Sequence, residues 1–502
     1  MKGRWFGFLF ALLLAMGWSL AQTPVRGGTL QIGVEASPSG LDPHVATAFA
    51  SFIVTGQIYE GLTEIDERLR PRPALAESWT VSQDGLTYTF KIRAGVTFHD
   101  GKPLTASDVA FSINRVRDPK TGSPIASRVN LVKEVRATSP TQLVVELSQP
   151  FAPMLVELAS IAVMSEDYVK AGNDMQRKPM GTGPFAFKEW VPDTYILLER
   201  HPRYWRQGRP YLDALRYNIV PDAATRQVGL ASGTYHFLPN IDPSLAVTLR
   251  NTPNVKLITA QDLAYSLIGM NTTRKPFDNP KVREALNYAL NRSQIVQAVY
   301  FGNGTPAGPL GLRSWASPTS AFPCYNTNPA KARELLAQAG YPNGVDFGMI
   351  VIGSNKTVVD AAQVVQQQLA QAGFRARVEV LEQGKFIQEW RNSNFDTFAS
   401  INSGNADPDG YLFRTFSTGG STNVFKFSNP TIDRLLNQGR TTVNEDARRP
   451  IYARLQVELA CQGPIAHLVY GTLFSAAREN VQGFKPIPTR SLIYLRDTWM
   501  AR

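Results

Sequence analysis

Residues 76–115, AESWTVSQDGLTYTFKIRAGVTFHDGKPLTASDVAFSINR, decide how this chain is read. Trp79 and Val81 alternate with polar neighbours before Asp84-Gly85, and Leu86, Tyr88, Phe90 and Ile92 alternate after it. A period of two puts one set of side chains on one face of a strand, and Asp-Gly tolerates the positive φ of a two-residue hairpin turn. His99-Asp100-Gly101 marks a second turn, and Ser107-Asp108 can cap a helix that carries Val109, Phe111, Ile113 and Val116. Local physics predicts a small α+β unit here and no chemistry.

A chain of 502 residues exceeds what one core covers and implies two or three domains. A composition that is 43% hydrophobic and 19% charged excludes a disordered chain. At the N-terminus Lys2 and Arg4 precede an uncharged apolar run, 6–18, and Ser19-Leu20-Ala21 offers small residues for cleavage before Gln22. The expectation is a cleaved secretory signal peptide over residues 1–21, because the run is shorter than the roughly 20 residues a membrane span needs. The mature protein is then exported, most simply to a periplasm. Cys324 and Cys461 are the two cysteines, and the sequence leaves open whether they pair or stay as separate buried thiols. The formal net charge of +11 includes Lys2 and Arg4, and the remaining basic residues are interleaved with acids. That spread argues for a solvated basic surface and against a nucleic-acid-binding face.

The first half reads as strand-rich, with strands or hairpins over 28–35, 131–147, 185–190 and 194–200. The second half is helix-rich. Three helices begin with Asn as N-cap and Pro at the first helical position: Asn279-Pro280, Asn328-Pro329 and Asn429-Pro430. Val282, Ala285, Leu286, Ala289 and Leu290 form an apolar stripe on the first of them. Residues 345–353, 357–372 and 374–381 read as strand, helix and strand, which implies a parallel pair with a crossover.

As a whole string, residues 76–115 resemble the segment that marks the peptide/nickel-type extracellular solute-binding proteins of ABC importers. The resemblance continues in ERHPRYW (199–205), AATR (223–226), RKPFDNPKVREALNYALNR (274–292), KARELLAQAGYP (331–342) and ADPDGYL (406–412). It implies an α/β, two-lobed periplasmic binding protein with a hinge and an additional inserted α+β domain. The first lobe would comprise 22–58, 185–265 and 475–502, the inserted domain 59–184, and the second lobe 266–474. It also implies a monomer that needs no cofactor, captures a small peptide-like ligand and delivers it to the permease subunits of an ABC transporter.

The residues themselves offer no catalytic constellation. The five histidines are scattered, and no nucleophile elbow or P-loop occurs. Asn405-Ala406-Asp407-Pro408-Asp409-Gly410 mimics the start of a calcium loop, but the twelfth position is Phe416, where a bidentate Glu is needed. Peptide-binding members use an Asp for the ligand's amine and an Arg for its carboxylate. On that pattern Gly404 stands at the first position and Asn355 at the second, so both anchors are absent. A ligand held through its backbone, or a modified peptide such as glutathione, fits this better than a dipeptide held at both ends. The residues taken as ligand-binding are Thr182, Gly183, Tyr265, Asn355, Lys356, Asn402, Asn405, Asp407 and Tyr411. Rival readings are a nickel chelate, an oligosaccharide, or a secreted hydrolase.

Overall fold

A computed structural model describes residues 23–311 and 314–502. The signal peptide expected over 1–21 lies outside the described residues.

One mixed sheet runs through the molecule. Its order is Phe374–Leu381, Val345–Ile352, Thr397–Asn402, Val255–Met270, Ile465–Arg478, Phe237–Ile241, Thr29–Val34, Ala214–Ile219, Tyr195–Arg200 and Phe185–Val191. The two long central strands, Val255–Met270 and Ile465–Arg478, are antiparallel neighbours. Their ladder runs from Val255 opposite Arg478 to Gln261 opposite Thr472, breaks, and resumes at Tyr265 opposite Tyr470. Beyond the break, Tyr265 to Met270 pair with Thr397–Asn402. A register break frees backbone groups from the ladder and lets the strands bend there.

Each side of that break has its own core. Leu30, Ile32, Phe185, Leu198, Tyr217 and Phe237 pack on one side. Phe277, Leu286, Met349, Val365 and Phe374 pack on the other. This is the two-lobed arrangement expected from the sequence. A third core belongs to a separate antiparallel sheet, Ala76–Val81, Thr87–Ile92, Gln142–Leu147 and Val132–Ser139, covered by helix Ala106–Arg117. Phe90, Val109, Leu143 and Val145 are fully buried there.

The opening stretch folds as the α+β unit that its alternation predicts, with two local corrections. The hairpin turns over a longer loop, residues 83–86, not a two-residue Asp-Gly turn: Ser82 N donates to Thr87 O and Gly85 N to Ser82 O, both at 2.9 Å. Gly85 has a φ of 72° but Asp84 does not adopt positive φ, because its carboxylate instead accepts from Leu86 N at 3.0 Å. The helix is capped by Thr105, not by Ser107. Asp108, at the third helical position, accepts from Thr105 N at 2.9 Å and Thr105 Oγ1 at 2.7 Å, a reciprocal arrangement that satisfies the helix start.

The Asn-Pro starts fold as the sequence predicts: Asn279, Asn328 and Asn429 accept from Lys281 N, Lys331 N and Thr431 N, each at 2.9 Å. Val345–Ile352 and Phe374–Leu381 are parallel neighbours joined by helix Lys356–Gln371. Cys324 and Cys461 form a disulfide, which resolves the alternative left open by the sequence.

Candidate functional site

A cavity of about 410 Å³ lies between the first lobe, the inserted unit and the second lobe. Helix Phe49–Ile58 supplies one wall, with Phe49 and Phe52 42% and 43% exposed. These two rings are three residues apart and so share a helix face. Aromatic rings left wet in a concave site are surface that a ligand can cover. Arg128 and Glu157 come from the inserted unit, Gly404 to Ala406 from the second lobe, and Arg490 from the C-terminal segment. A Cβ at Gly404 would meet the Leu263 carbonyl oxygen at 2.6 Å, so glycine lets this loop lie against the strand break. Asp262, inside the break, accepts from Arg490 Nε at 3.2 Å.

Charge is concentrated on the side of the cavity where the inserted unit meets the second lobe. Asp407 forms a buried bidentate pair with Arg448, both bonds at 2.9 Å. Asp409 accepts from Arg440 Nη2 at 3.0 Å. Glu157 lies 3.7 Å from Arg128. Burial pushes the Glu157 carboxyl up to about 7, with Arg128 opposing that rise and Asp407 and Asp409 adding to it. Burial raises Asp409 to about 6 against the pull of Arg440. The two sides touch directly: Ala152 N donates to Arg440 O at 2.9 Å, and the Arg440 guanidinium lies 5.2 Å from the Phe151 ring centre of the inserted unit.

The sequence candidates are placed unevenly around this cavity. Asn405 lines it. Tyr265, Tyr411 and Asn402 form a polar string at the strand break, the two tyrosines buried and Asn402 half-buried: Asn402 Nδ2 donates to Tyr265 Oη at 3.3 Å, Tyr265 bonds Tyr411, and Tyr411 Oη lies 3.2 Å from His467 Nε2. Burial holds His467 down at about 3, so that ring is neutral. Asp407 caps helix Pro408–Phe416, accepting from Asp409 N, and its charge is committed to Arg448. Asn355 caps helix Lys356–Gln371, and Lys356 pairs with Asp360 on the surface. Neither borders the cavity, and both satisfy helix needs.

Thr182 and Gly183 sit behind the cavity wall. Thr182 Oγ1 donates to buried Glu60 at 3.2 Å, and Gly183 N to Ile58 O at 2.8 Å. His99 fixes the same loop, with Nδ1 accepting from Gly181 N and Nε2 3.1 Å from Gly183 O. Sequence reasoning missed Phe49, Phe52, Arg128, Glu157 and Arg490. Glu157 did carry a signal, as the one charge in the apolar run FAPMLVELASIAVM.

Comparison with known proteins agrees with this architecture. The family model for bacterial extracellular solute-binding proteins, family 5, matches residues 70–423. Glutathione-binding protein GsiB of Escherichia coli strain K12 is 33% identical over 470 residues, covering 91% of this chain and 92% of that protein. The periplasmic binding protein DppA from Helicobacter pylori, in complex with the peptide STSA, superposes with a TM-score of 0.82 at 27% identity, covering 95% and 99% of the two chains. The oligopeptide-binding protein AppA from Bacillus subtilis, in complex with a nonapeptide, gives 0.82 at 29% identity over 96% and 100%. Two cores joined through paired crossing strands, a cavity between them, and a family match over more than half the sequence lead to one assignment: the chain belongs to the bacterial extracellular solute-binding proteins of family 5.

Proposed function

We propose that the protein is a periplasmic receptor that captures a peptide-like solute between its lobes and presents it, unaltered, to the permease subunits of an ABC importer. The observation that carries this reading is the 410 Å³ cavity, walled from both lobes and from the inserted unit, beside a break in two crossing strands. A volume of that order suits a small molecule. The relatives add the chemical class, since GsiB is named for glutathione and DppA and AppA were solved with peptides.

In this reading the first lobe comprises 22–58, 185–265 and 475–502, the inserted domain 59–184, and the second lobe 266–474. The lobes rotate about residues 261–265. Ligand capture is then a population shift: the solute favours the closed form because both lobes touch it at once. Its polar groups give up water only as they gain fixed partners, Asn405 among them, while Phe49 and Phe52 cover its apolar parts. Micromolar capture needs about −8 kcal/mol, which several such bonds and modest apolar burial supply. The protein acts as a monomer, without cofactor and without catalysis.

Native mass spectrometry of freshly purified protein tests the reading. The expected result is an adduct whose mass, after release, matches an intact small peptide. A sugar, a metal chelate or a cleaved product in its place would overturn it.

A further inference from the structure

The charged groups that line the cavity already have partners inside the protein. Five border it among the described residues: Glu60, Glu64, Glu157, Arg128 and Arg490. Buried Glu60 accepts from Thr182 Oγ1 at 3.2 Å, Tyr204 Oη at 2.7 Å and Trp205 Nε1 at 2.9 Å. Glu64 accepts from Arg496 at 2.8 and 3.0 Å and from Arg206 at 2.6 Å. Arg490 is held by Asp262, and Arg128 lies 3.7 Å from Glu157. A solute charge drawn to any of them competes with a partner already in place.

What the wall leaves uncovered is apolar. Helix Phe49–Ile58 buries Ile53, Val54 and Ile58 in the core of the first lobe. Its other face carries Phe49, Phe52 and Gly56, at spacings of three and four, and all three border the cavity. A helix face turned to water is ordinarily polar, so two phenyl rings this exposed mark a surface that something else covers. Gly56 adds room beside them, since a Cβ there would meet nothing within 4 Å. Glycine weakens a helix interior, and here it leaves a slot next to Phe52. We infer that this slot takes an apolar side chain of the captured solute, so that the ligand is a peptide selected for an aromatic or long aliphatic residue and not for its charge. The inference rests on the cleft being the ligand site. Burying such a side chain against Phe49 and Phe52 releases water from both surfaces, and an aromatic one can pack edge to face on the rings. Glutathione carries no such side chain and gains little there.

Calorimetry on ligand-stripped wild type, Phe52→Ala and Gly56→Leu tests this with tripeptides of equal charge. The probes are Ala-Ala-Ala, Phe-Ala-Ala, Ala-Phe-Ala and Ala-Ala-Phe, with reduced glutathione alongside. The expected result is that wild type binds at least one Phe tripeptide about tenfold or more tightly than Ala-Ala-Ala and than glutathione. In both variants the ratio of Phe to Ala tripeptide falls by about fivefold or more, in one because a ring is gone and in the other because the slot is filled. Leucine favours helix, so a Gly56→Leu melting temperature at or above wild type marks a filled slot and not a damaged fold. Equal binding of Phe and Ala tripeptides by wild type, tighter binding of glutathione, or a preference that survives in either variant overturns the side-chain assignment and leaves the cleft reading intact. If no probe binds wild type, the peptide reading falls and this inference with it.

Discussion

Glu157 concentrates the electrostatics of the cleft in a single residue. It is buried among apolar neighbours, next to Arg128, with two further acids across the interface. Burial pushes its carboxyl up to about 7 from the ordinary glutamate value of 4.5, so between those values the folded protein holds a proton that the unfolded chain releases. Stability from this group is therefore present below pH 4.5 and lost as pH rises through 7. Asp409, raised to about 6, acts in the same direction over a narrower window. Denaturant unfolding at pH 5 and pH 8 should show the wild type losing stability across that range. Glu157→Gln should lose less, by on the order of 3 kcal/mol. Parallel pH profiles for the two proteins would mean that Glu157 is solvated and ionised throughout.

At the scale of elements, the disulfide has the largest expected single effect on stability. It joins the turn Pro323–Tyr325 to the end of helix Glu445–Ala460, and Asn287 Nδ2 donates to Cys461 O at 3.2 Å, tying a second helix to the same point. The sequence separation of 137 residues makes the constraint on the unfolded chain large. The variant with both Cys324→Ser and Cys461→Ser should lose about 2–5 kcal/mol by urea unfolding. No change on substitution would mean the bridge is absent in the purified protein.

Elements of this kind were largely legible in the sequence, because their signals are local. Alternation gave the Ala76–Val81 and Thr87–Ile92 strands, and three Asn-Pro pairs gave three helix starts. The errors were also local, and arose where two side chains compete for one role. Thr105 took the cap from Ser107 because Asp108 could answer it reciprocally, and Asp84 spent its carboxylate on Leu86 N instead of adopting positive φ. The site was much less legible. Its walls come from near residues 49, 128, 157, 405 and 490, and nothing along the chain distinguishes Arg128 from a surface arginine. Residues such as Asn355 and Asp407, chosen by position in a pattern, have helix caps to satisfy here, and Asp407 a salt bridge as well.

At the scale of the whole molecule, the two long strands carry both the connection and the freedom to move. Their ladder is interrupted between Gln261 and Tyr265 and shifts register again between Ser266 and Leu267, so each lobe keeps its core while the angle between lobes can change. The Asp262–Arg490 pair ties the C-terminal segment to that break, and the Ala152–Arg440 bond joins the inserted unit to the second lobe. A solute that replaces water between these surfaces favours the compact arrangement over an open one. Small-angle X-ray scattering of the ligand-stripped protein, with and without reduced glutathione or Ser-Thr-Ser-Ala, measures that preference directly. The account predicts a smaller radius of gyration with at least one of them, and recovery of that solute with its mass unchanged. Superimposable curves with each peptide, or a solute returned in pieces, would contradict it.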